Sequence, residues 1–101
     1  MKGKDMRRAA KVDDNQAEIV ATLRYVGCSV TSLASIGRGC PDIVVGYNGV
    51  NYLLEIKDGR KCPSRRRLTP EEKKWHESWK GQVAVVESVE DALRVVSGYA
   101  V

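Results

Sequence analysis

The chain has 101 residues, of which 30% are charged and 43% hydrophobic, and its formal net charge at pH 7 is +4. This length and balance predict one globular domain with a modest core, and the positive charge suits a polyanionic partner. No apolar run approaches the roughly 18 residues that span a bilayer, and we see no signal segment, so we expect a cytoplasmic protein without membrane contact. The three cysteines have neither disulfide-framework nor zinc-site spacing, which predicts free thiols.

The beginning of the chain, residues 1–12, is basic and contains few large apolar side chains. Its cations are Lys2, Lys4, Arg7, Arg8 and Lys11. This composition predicts a flexible arm, which either lies along DNA phosphates or only keeps the chain soluble. We expect a single folded domain at 13–97 and a short tail at 98–101.

A first helix is predicted from Asp13 or Asp14, as N-cap, to about Val26, with Gly27 ending it. Apolar residues recur along it with helical spacing and should face the core: Ile19, Val20, Leu23 and Val26. Glu18 adjoins this apolar stripe, close to where the helix should meet the sheet. It is either a site residue or a solvated helix carboxylate.

Residues 28–35 mix small, β-branched and apolar side chains, which predicts a first strand whose pairing partner stays open. The following Gly37-Arg38-Gly39 predicts a flexible turn with accessible backbone amides. Arg38 is a candidate for contact with a phosphate. Ordinary loop composition explains the turn equally well.

A β-hairpin is predicted where two apolar runs, 43–47 and 51–56, flank Asn48-Gly49, the dipeptide most typical of a two-residue hairpin turn. If Asn48 and Gly49 form the loop, Tyr47 pairs with Val50. Continuing this register along the two strands places the residue at position 42 directly opposite the residue at position 55.

The residues at those positions are Asp42 and Glu55, and Lys57 shares their face because side chains alternate along a strand. Two carboxylates this close repel each other, and a divalent metal relieves the repulsion. Mg²⁺ is commonly held by one or two carboxylates, and the Ile56 carbonyl is a further candidate ligand. With Lys57 orienting water or stabilising developing charge, the pattern predicts metal-assisted phosphodiester hydrolysis. Solvated strand residues beside a Pro41-Asp42 turn are the alternative.

The loop at 58–67 is rich in cations among Gly, Pro and Ser, and they are Arg60, Lys61, Arg65, Arg66 and Arg67. Next to the acidic pair, such a run predicts contacts with nucleic-acid phosphates rather than a merely solvated loop.

A second helix is predicted from Thr69 as N-cap to about Lys80, because proline follows and Glu72 occupies the N3 position of a capping box. Trp75 and Trp79 share one face of it, and we expect them to pack on the sheet rather than stack on bases. His76, the sole histidine, is predicted to be a surface residue rather than a catalytic base.

The apolar run at 82–87 predicts a central strand, parallel to a neighbour, and Ser88 is the expected N-cap of a last helix at 89–96. The order helix, three strands, helix, strand, helix (αβββαβα) predicts an α/β fold with a mixed β-sheet flanked by helices.

Pro41-Asp42 followed by Glu55-Ile56-Lys57 resembles the PD-(D/E)xK nuclease motif. Three further segments, at 37–42, 54–59 and 68–70, resemble small phage and prophage members of the VRR-NUC branch, relatives of Holliday junction resolvases. The resemblance extends from about Arg7 to about Val96. It implies a restriction-endonuclease-like core.

The same resemblance implies a Mg²⁺ or Mn²⁺ cofactor, a branched or structured DNA substrate, a homodimer, and a phage- or prophage-encoded protein that acts in the host cell. In these relatives an N-terminal helix supplies a glutamate to the metal site, and Glu18 matches that position. Many relatives have glutamine where Glu72 stands here, which leaves open whether this helix reaches the site. A DNA-binding module that does not cleave is the alternative function.

Overall fold

The computed structural model describes residues 13–98. The predicted arm at 1–12 and the end of the predicted tail, 99–101, lie outside the described residues. In chain order the elements are α1 (Gln16–Tyr25), β1 (Ser29–Ser32), β2 (Ile43–Tyr47), β3 (Val50–Ile56), α2 (Pro63–Arg66), α3 (Pro70–Ser78), β4 (Val83–Val86) and α4 (Val89–Ser97). None of these helices is long and apolar enough to cross a membrane.

The four strands form one mixed sheet in the order β1-β2-β3-β4, in which the first three are antiparallel and β4 is parallel to β3. The predicted α/β fold with helices flanking a mixed sheet is therefore confirmed. The prediction of a central last strand is wrong, because β4 pairs only with β3 among the described strands. As an edge strand it is covered incompletely, and Val85 is 40% exposed.

The hairpin formed by β2 and β3 has the predicted register. Tyr47 pairs with Val50 and Ile43 pairs with Leu54. The loop residues Asn48 and Gly49 have φ angles of 51° and 77°. Positive φ at both loop positions is the conformation of a type I′ turn, whose twist matches that of the strands it joins.

Gly49→Val should destabilise the protein by about 1 to 2 kcal/mol, because a β-branched side chain resists the left-handed conformation. A Cβ atom at this position would meet nothing within 4 Å, so the expected cost is conformational rather than steric. Gly49→Asn is the matched control, since asparagine tolerates positive φ, and it should lose much less stability. Urea denaturation of both variants measures the difference, and equal losses would contradict the type I′ assignment.

The core lies on one face of the sheet, beneath α1 and α4. Ile43 and Val45 of β2, and Leu54 and Ile56 of β3, are buried on this face. The two helices add their own buried residues: Ile19, Leu23, Ala92 and Val96. Because side chains alternate along a strand, Asp42, Glu55 and Lys57 must lie on the other face of the sheet.

Two helices, α1 and α3, have boundaries that differ from the predicted ones. α1 begins after Asn15 rather than after an aspartate N-cap. The Asn15 side chain is buried and its Nδ2 donates to the carbonyls of Lys57 and Glu87, 3.2 Å away in each case, so it ties the start of α1 to the ends of two strands. α3 has the predicted capping box at Thr69 but ends at Ser78.

Other local predictions are partly confirmed. The N-cap of α4 at Ser88 is as predicted, and all three cysteines are free. β1 is shorter than the predicted 28–35, and the cationic loop contains the short helix α2, which the sequence did not indicate. The expected packing of Trp79 on the sheet is wrong: Trp79 is 45% exposed and stacks on the half-buried Trp75, with ring centroids 4.6 Å apart.

Candidate active site

The hairpin brings Asp42 and Glu55 together at its open end. Asp42 lies just before β2, and its backbone N–H donates at 3.0 Å to the carbonyl of Leu54, the residue that pairs with Ile43. The direct pairing of Asp42 with Glu55 that the register predicted is therefore wrong, although both residues stand at this end of the hairpin. Oδ2 of Asp42 accepts a hydrogen bond of 2.6 Å from the Ile56 N–H. The side chains of Asp42 and Glu55 line the same cleft.

The electrostatics of this pair follow from its burial. The Glu55 side chain is only 3% exposed. Burial, together with the nearby Asp42 carboxylate, raises the pKa of Glu55 to about 9. Burial also raises the pKa of Asp42, although the hydrogen bond from Ile56 opposes this shift. Without a cation, the pair therefore retains a proton at neutral pH.

This retained proton predicts a specific dependence of stability on pH. The pKa of Glu55 is about 9 in the folded protein against an ordinary value of 4.5, so the unfolded chain releases a proton that the folded chain keeps. Stability in EDTA should therefore fall as pH rises from 4.5 towards 9, by up to about 1.4 kcal/mol per pH unit for one proton. Thermal denaturation across this range measures the slope. It should flatten in Glu55→Gln and persist in the surface control Glu90→Gln; an unchanged slope in Glu55→Gln would exclude Glu55 as its source.

Lys57 lies beside the acidic pair and is held by α3. Its Nζ is 2.8 Å from Oε1 of Glu72 and 3.8 Å from Oε2 of Glu55. Burial alone would lower the pKa of Lys57, but the hydrogen bond and charge of Glu72 outweigh it, so the pKa is raised. The ammonium therefore stays charged and fixed in direction.

Glu72 has two functions at the start of α3. Its Oε1 accepts the Thr69 N–H at 2.9 Å while its own N–H donates to Thr69 Oγ1, which completes the predicted capping box. The same Oε1 accepts the hydrogen bond from Lys57. α3 thus reaches the site, a question that the sequence left open.

The turn before Asp42 fixes the place of α3. Gly39 has a φ of 82°, and a Cβ atom there would lie 2.5 Å from the Glu71 backbone oxygen. Only glycine allows this close approach between the turn and the first turn of α3.

His76 also faces the acidic pair, so its prediction as a surface residue is wrong. Its side chain is 13% exposed, and its Nε2 lies 3.7 Å from Oε1 of Glu55. Burial lowers the pKa of His76. The sequence contained one indication of this position, because residues four apart share a helix face and Glu72 stands four residues before His76.

A cleft surrounds the acidic pair, and the carboxylates that line it near the start of α1 belong to the residues before that helix. Asp13 and Asp14 line the cleft together with Asp42, Glu55 and Lys57. Burial raises the pKa of Asp13. Glu18 is exposed and lines a different cleft, with Asp58 and Arg60 among its walls. The structure therefore does not bring Glu18 to the acidic pair.

The predicted phosphate-binding cations divide into two groups. Lys61 and Arg65 line the cleft of the acidic pair. The other four lie elsewhere: Arg60 pairs with Asp58 at 2.7 Å, Arg66 pairs with Glu87 at 3.3 Å, Arg38 lines a surface pocket beside Lys74 and Trp75, and Arg67 is exposed after α2.

Comparison with known proteins gives one informative match. No protein-family model matches the chain, and no curated protein matches it. A solved structure described as a VRR_NUC domain is similar to it, with a TM-score of 0.62 and 26% sequence identity over 84% of this chain and 92% of that chain. The chain has a VRR-NUC-like fold. The resemblance in the motif residues and the similarity of the fold agree.

Within this VRR-NUC-like fold the acidic pair is suited to a divalent cation. Among residues 13–98, no group of three or more Asp, Glu, His or Cys side chains is arranged so that it could hold a metal ion. Asp42, Glu55 and Ile56 nevertheless line one cleft, and because the Ile56 side chain lies in the core, its backbone must form this part of the wall. Oε1 of Glu55 is buried without a hydrogen-bond partner. Two carboxylates and a carbonyl suit Mg²⁺, which keeps several waters in proteins.

Proposed function

We propose that the protein is a metal-dependent DNA endonuclease that hydrolyses phosphodiester bonds. The observation that carries this proposal is the cleft shared by the buried Glu55 and the half-buried Asp42, with Lys57 beside them. A protein that only binds DNA has no need of this arrangement, because two acidic groups held close together and largely away from water cost stability. The VRR-NUC-like fold supports the same function.

The residues of the site have distinct roles in this proposal. Asp42 and Glu55, with the Ile56 carbonyl, would hold Mg²⁺ or Mn²⁺, which supplies Lewis acidity and an activated water when bound. The ammonium group of Lys57 is directed at this metal-binding position. It stabilises the negative charge that develops on the phosphate during the reaction. Glu72 positions Lys57 through the 2.8 Å ion pair.

The proposed substrate is branched or structured DNA, cleaved by a homodimer. The resemblance to junction resolvases supports this substrate, and two sites related by a two-fold axis suit paired cuts in two strands. Cleavage of a four-way junction, a linear duplex and a supercoiled plasmid, each in Mg²⁺, Mn²⁺ or EDTA, tests the proposal. Metal-dependent cleavage supports the nuclease. DNA binding without cleavage in any metal would favour the non-cleaving module, and light scattering reports the oligomeric state.

The cations of the cleft should hold DNA phosphates. We expect the double variant Lys61→Gln, Arg65→Gln to flatten the dependence of log K on log salt by about 0.9 for each lost contact on duplex DNA. The matched control is Arg24→Gln, Arg94→Gln, which removes the same charge from the helices on the other face of the sheet and should keep the slope. Fluorescence anisotropy in EDTA measures both. Equal slopes for the two double variants would place the DNA elsewhere.

A further inference from the structure

Two tryptophans at the end of α3 form a stack that the proposed cleavage site does not use. The rings of Trp75 and Trp79 are nearly parallel, with centroids 4.6 Å apart and an interplanar angle of 17°. Trp75 is half-buried, whereas Trp79, just beyond the last residue of the helix, is 45% exposed. Proteins that bind single strands use exposed aromatic rings as platforms on which bases stack.

The exposed part of Trp79 includes one face of its indole ring. Trp75 covers the other face. Gly81 lies against the nitrogen edge, since a Cβ atom at Gly81 would be 2.9 Å from Nε1 of Trp79. The Trp79 backbone N–H donates to the Trp75 carbonyl at 3.1 Å, which holds the ring in place. A base on the open face would therefore extend a stack of two fixed rings to three.

A surface pocket beside Trp75 has groups for the other parts of a nucleotide. It is lined by Arg38, from the loop before β2, and by Lys74 of α3, and both cations suit a phosphate. Glu71 and Glu77 line it as well, and their carboxylates can accept hydrogen bonds from the amino groups of bases. The pocket thus offers donors to a phosphate and acceptors to a base.

The stack lies close to the cleft of the acidic pair. The first turn of α3 stands at that cleft, where Glu72 holds Lys57 at 2.8 Å. Trp79 follows Glu72 by seven residues, which is about 10 Å along a helix. Arg38 precedes Gly39, whose close approach to α3 fixes the loop against the helix. A DNA strand with a phosphate at the acidic pair therefore passes close to the stack.

We propose that Trp79, supported by Trp75, binds an unpaired base of the DNA substrate, and that Arg38 and Lys74 contact the adjoining phosphate. This inference rests on the proposed function and deepens it. It selects DNA with unpaired nucleotides near the cut, such as a fork or a flap, over a fully paired duplex. Every base has a face that stacks, so the unpaired state is recognised rather than a sequence.

Two forked duplexes that differ only in their single-stranded arm test the inference. One arm carries cytosine bases and the other consists of abasic residues, so both present the same phosphates. In EDTA, fluorescence anisotropy should show that the wild type binds the first at least about fivefold more tightly. Trp79→Ala should abolish this preference, and Trp79→Phe should retain most of it. Tyr25→Ala removes another exposed ring, on α1, and as the matched control should keep the preference.

The salt dependence of binding tests the cations separately. Arg38→Gln should flatten the dependence of log K on log salt for the forked DNA by about 0.7, the value for one lost contact with a single strand. It should keep the preference for bases. Trp79→Ala should lose the preference and keep the slope, because an uncharged ring releases no counterions. An unchanged slope in Arg38→Gln would overturn the assigned phosphate contact.

Equal affinity of the wild type for the two arms would overturn the inference, and cleavage of DNA in Mg²⁺ would then leave the proposed function intact. Persistence of the preference in Trp79→Ala would overturn it as well. So would a change from dimer to monomer in Trp79→Ala, measured by light scattering, because a second copy of the chain would then cover the ring. If the wild type binds neither DNA, the proposed function fails together with the inference. The comparison of the two arms uses the wild type alone, so it decides even if Trp79→Ala folds poorly.

Discussion

Asp42→Asn and Glu55→Gln should each lower Mg²⁺-dependent DNA cleavage by about 10³-fold, while DNA binding in EDTA stays close to that of the wild type. Each substitution removes a charged ligand from the acidic pair and keeps the size of the side chain. The cations that hold phosphate, Lys61 and Arg65, are untouched. Single-turnover cleavage and anisotropy on the same DNA separate the two effects.

Glu18→Gln is the matched control for these variants. Glu18 carries the same charge but lines a different cleft, so cleavage should stay within about twofold of the wild type. Asp13→Asn, in contrast, should reduce cleavage, because Asp13 lines the cleft of the acidic pair. Full activity in Asp42→Asn or Glu55→Gln would refute the metal site. A large loss in Glu18→Gln would show that the position indicated by the sequence resemblance is the functional one.

The same two substitutions should raise the stability of the metal-free protein at neutral pH. At neutral pH the folded protein must keep on Glu55 a proton that an ordinary glutamate would release, which costs stability, and an amide at either position removes this cost. Loss of activity together with a gain of stability is expected where a site is maintained for function.

The hairpin and its site could be predicted from the sequence because their geometry is local. The Asn48-Gly49 turn determines which residues pair, and the two-residue period of a strand then determines the face of every side chain as far as Lys57. The structure has the register expected from Tyr47 and Val50. The starts of α3 and α4 could likewise be predicted, since N-caps are short sequence patterns.

The contributions of the other elements depend on how those elements pack, which no local pattern determines. Asn15 starts α1 later than the acidic residues suggested, because its side chain bridges two strand ends, and Asp13 rather than Glu18 then lines the cleft. His76 lies among polar neighbours in the sequence and is buried only because α3 lies over Glu55. Trp79 has the helical spacing of a core residue, but no residue of α3 is fully buried.

Lys57→Ala should lower the cleavage rate by about 10²- to 10³-fold, the usual cost of removing one group that stabilises transition-state charge. Glu72→Gln should cost less, about tenfold, because Lys57 keeps its charge but loses the 2.8 Å ion pair that directs it. This variant also has the residue that many VRR-NUC relatives carry, so substantial activity is expected. Glu71→Gln, an exposed neighbour in the first turn of α3, is the control and should cleave like the wild type.

The double variant Lys57→Ala, Glu72→Gln distinguishes positioning from a direct effect of Glu72 on the substrate. If Glu72 acts only by holding Lys57, the double variant should cleave no more slowly than Lys57→Ala alone, because nothing remains to be held. Single-turnover rates in Mg²⁺ measure this non-additivity. Additive losses would mean that Glu72 contacts the substrate or the ion itself, and the ion pair with Lys57 would then be incidental to catalysis.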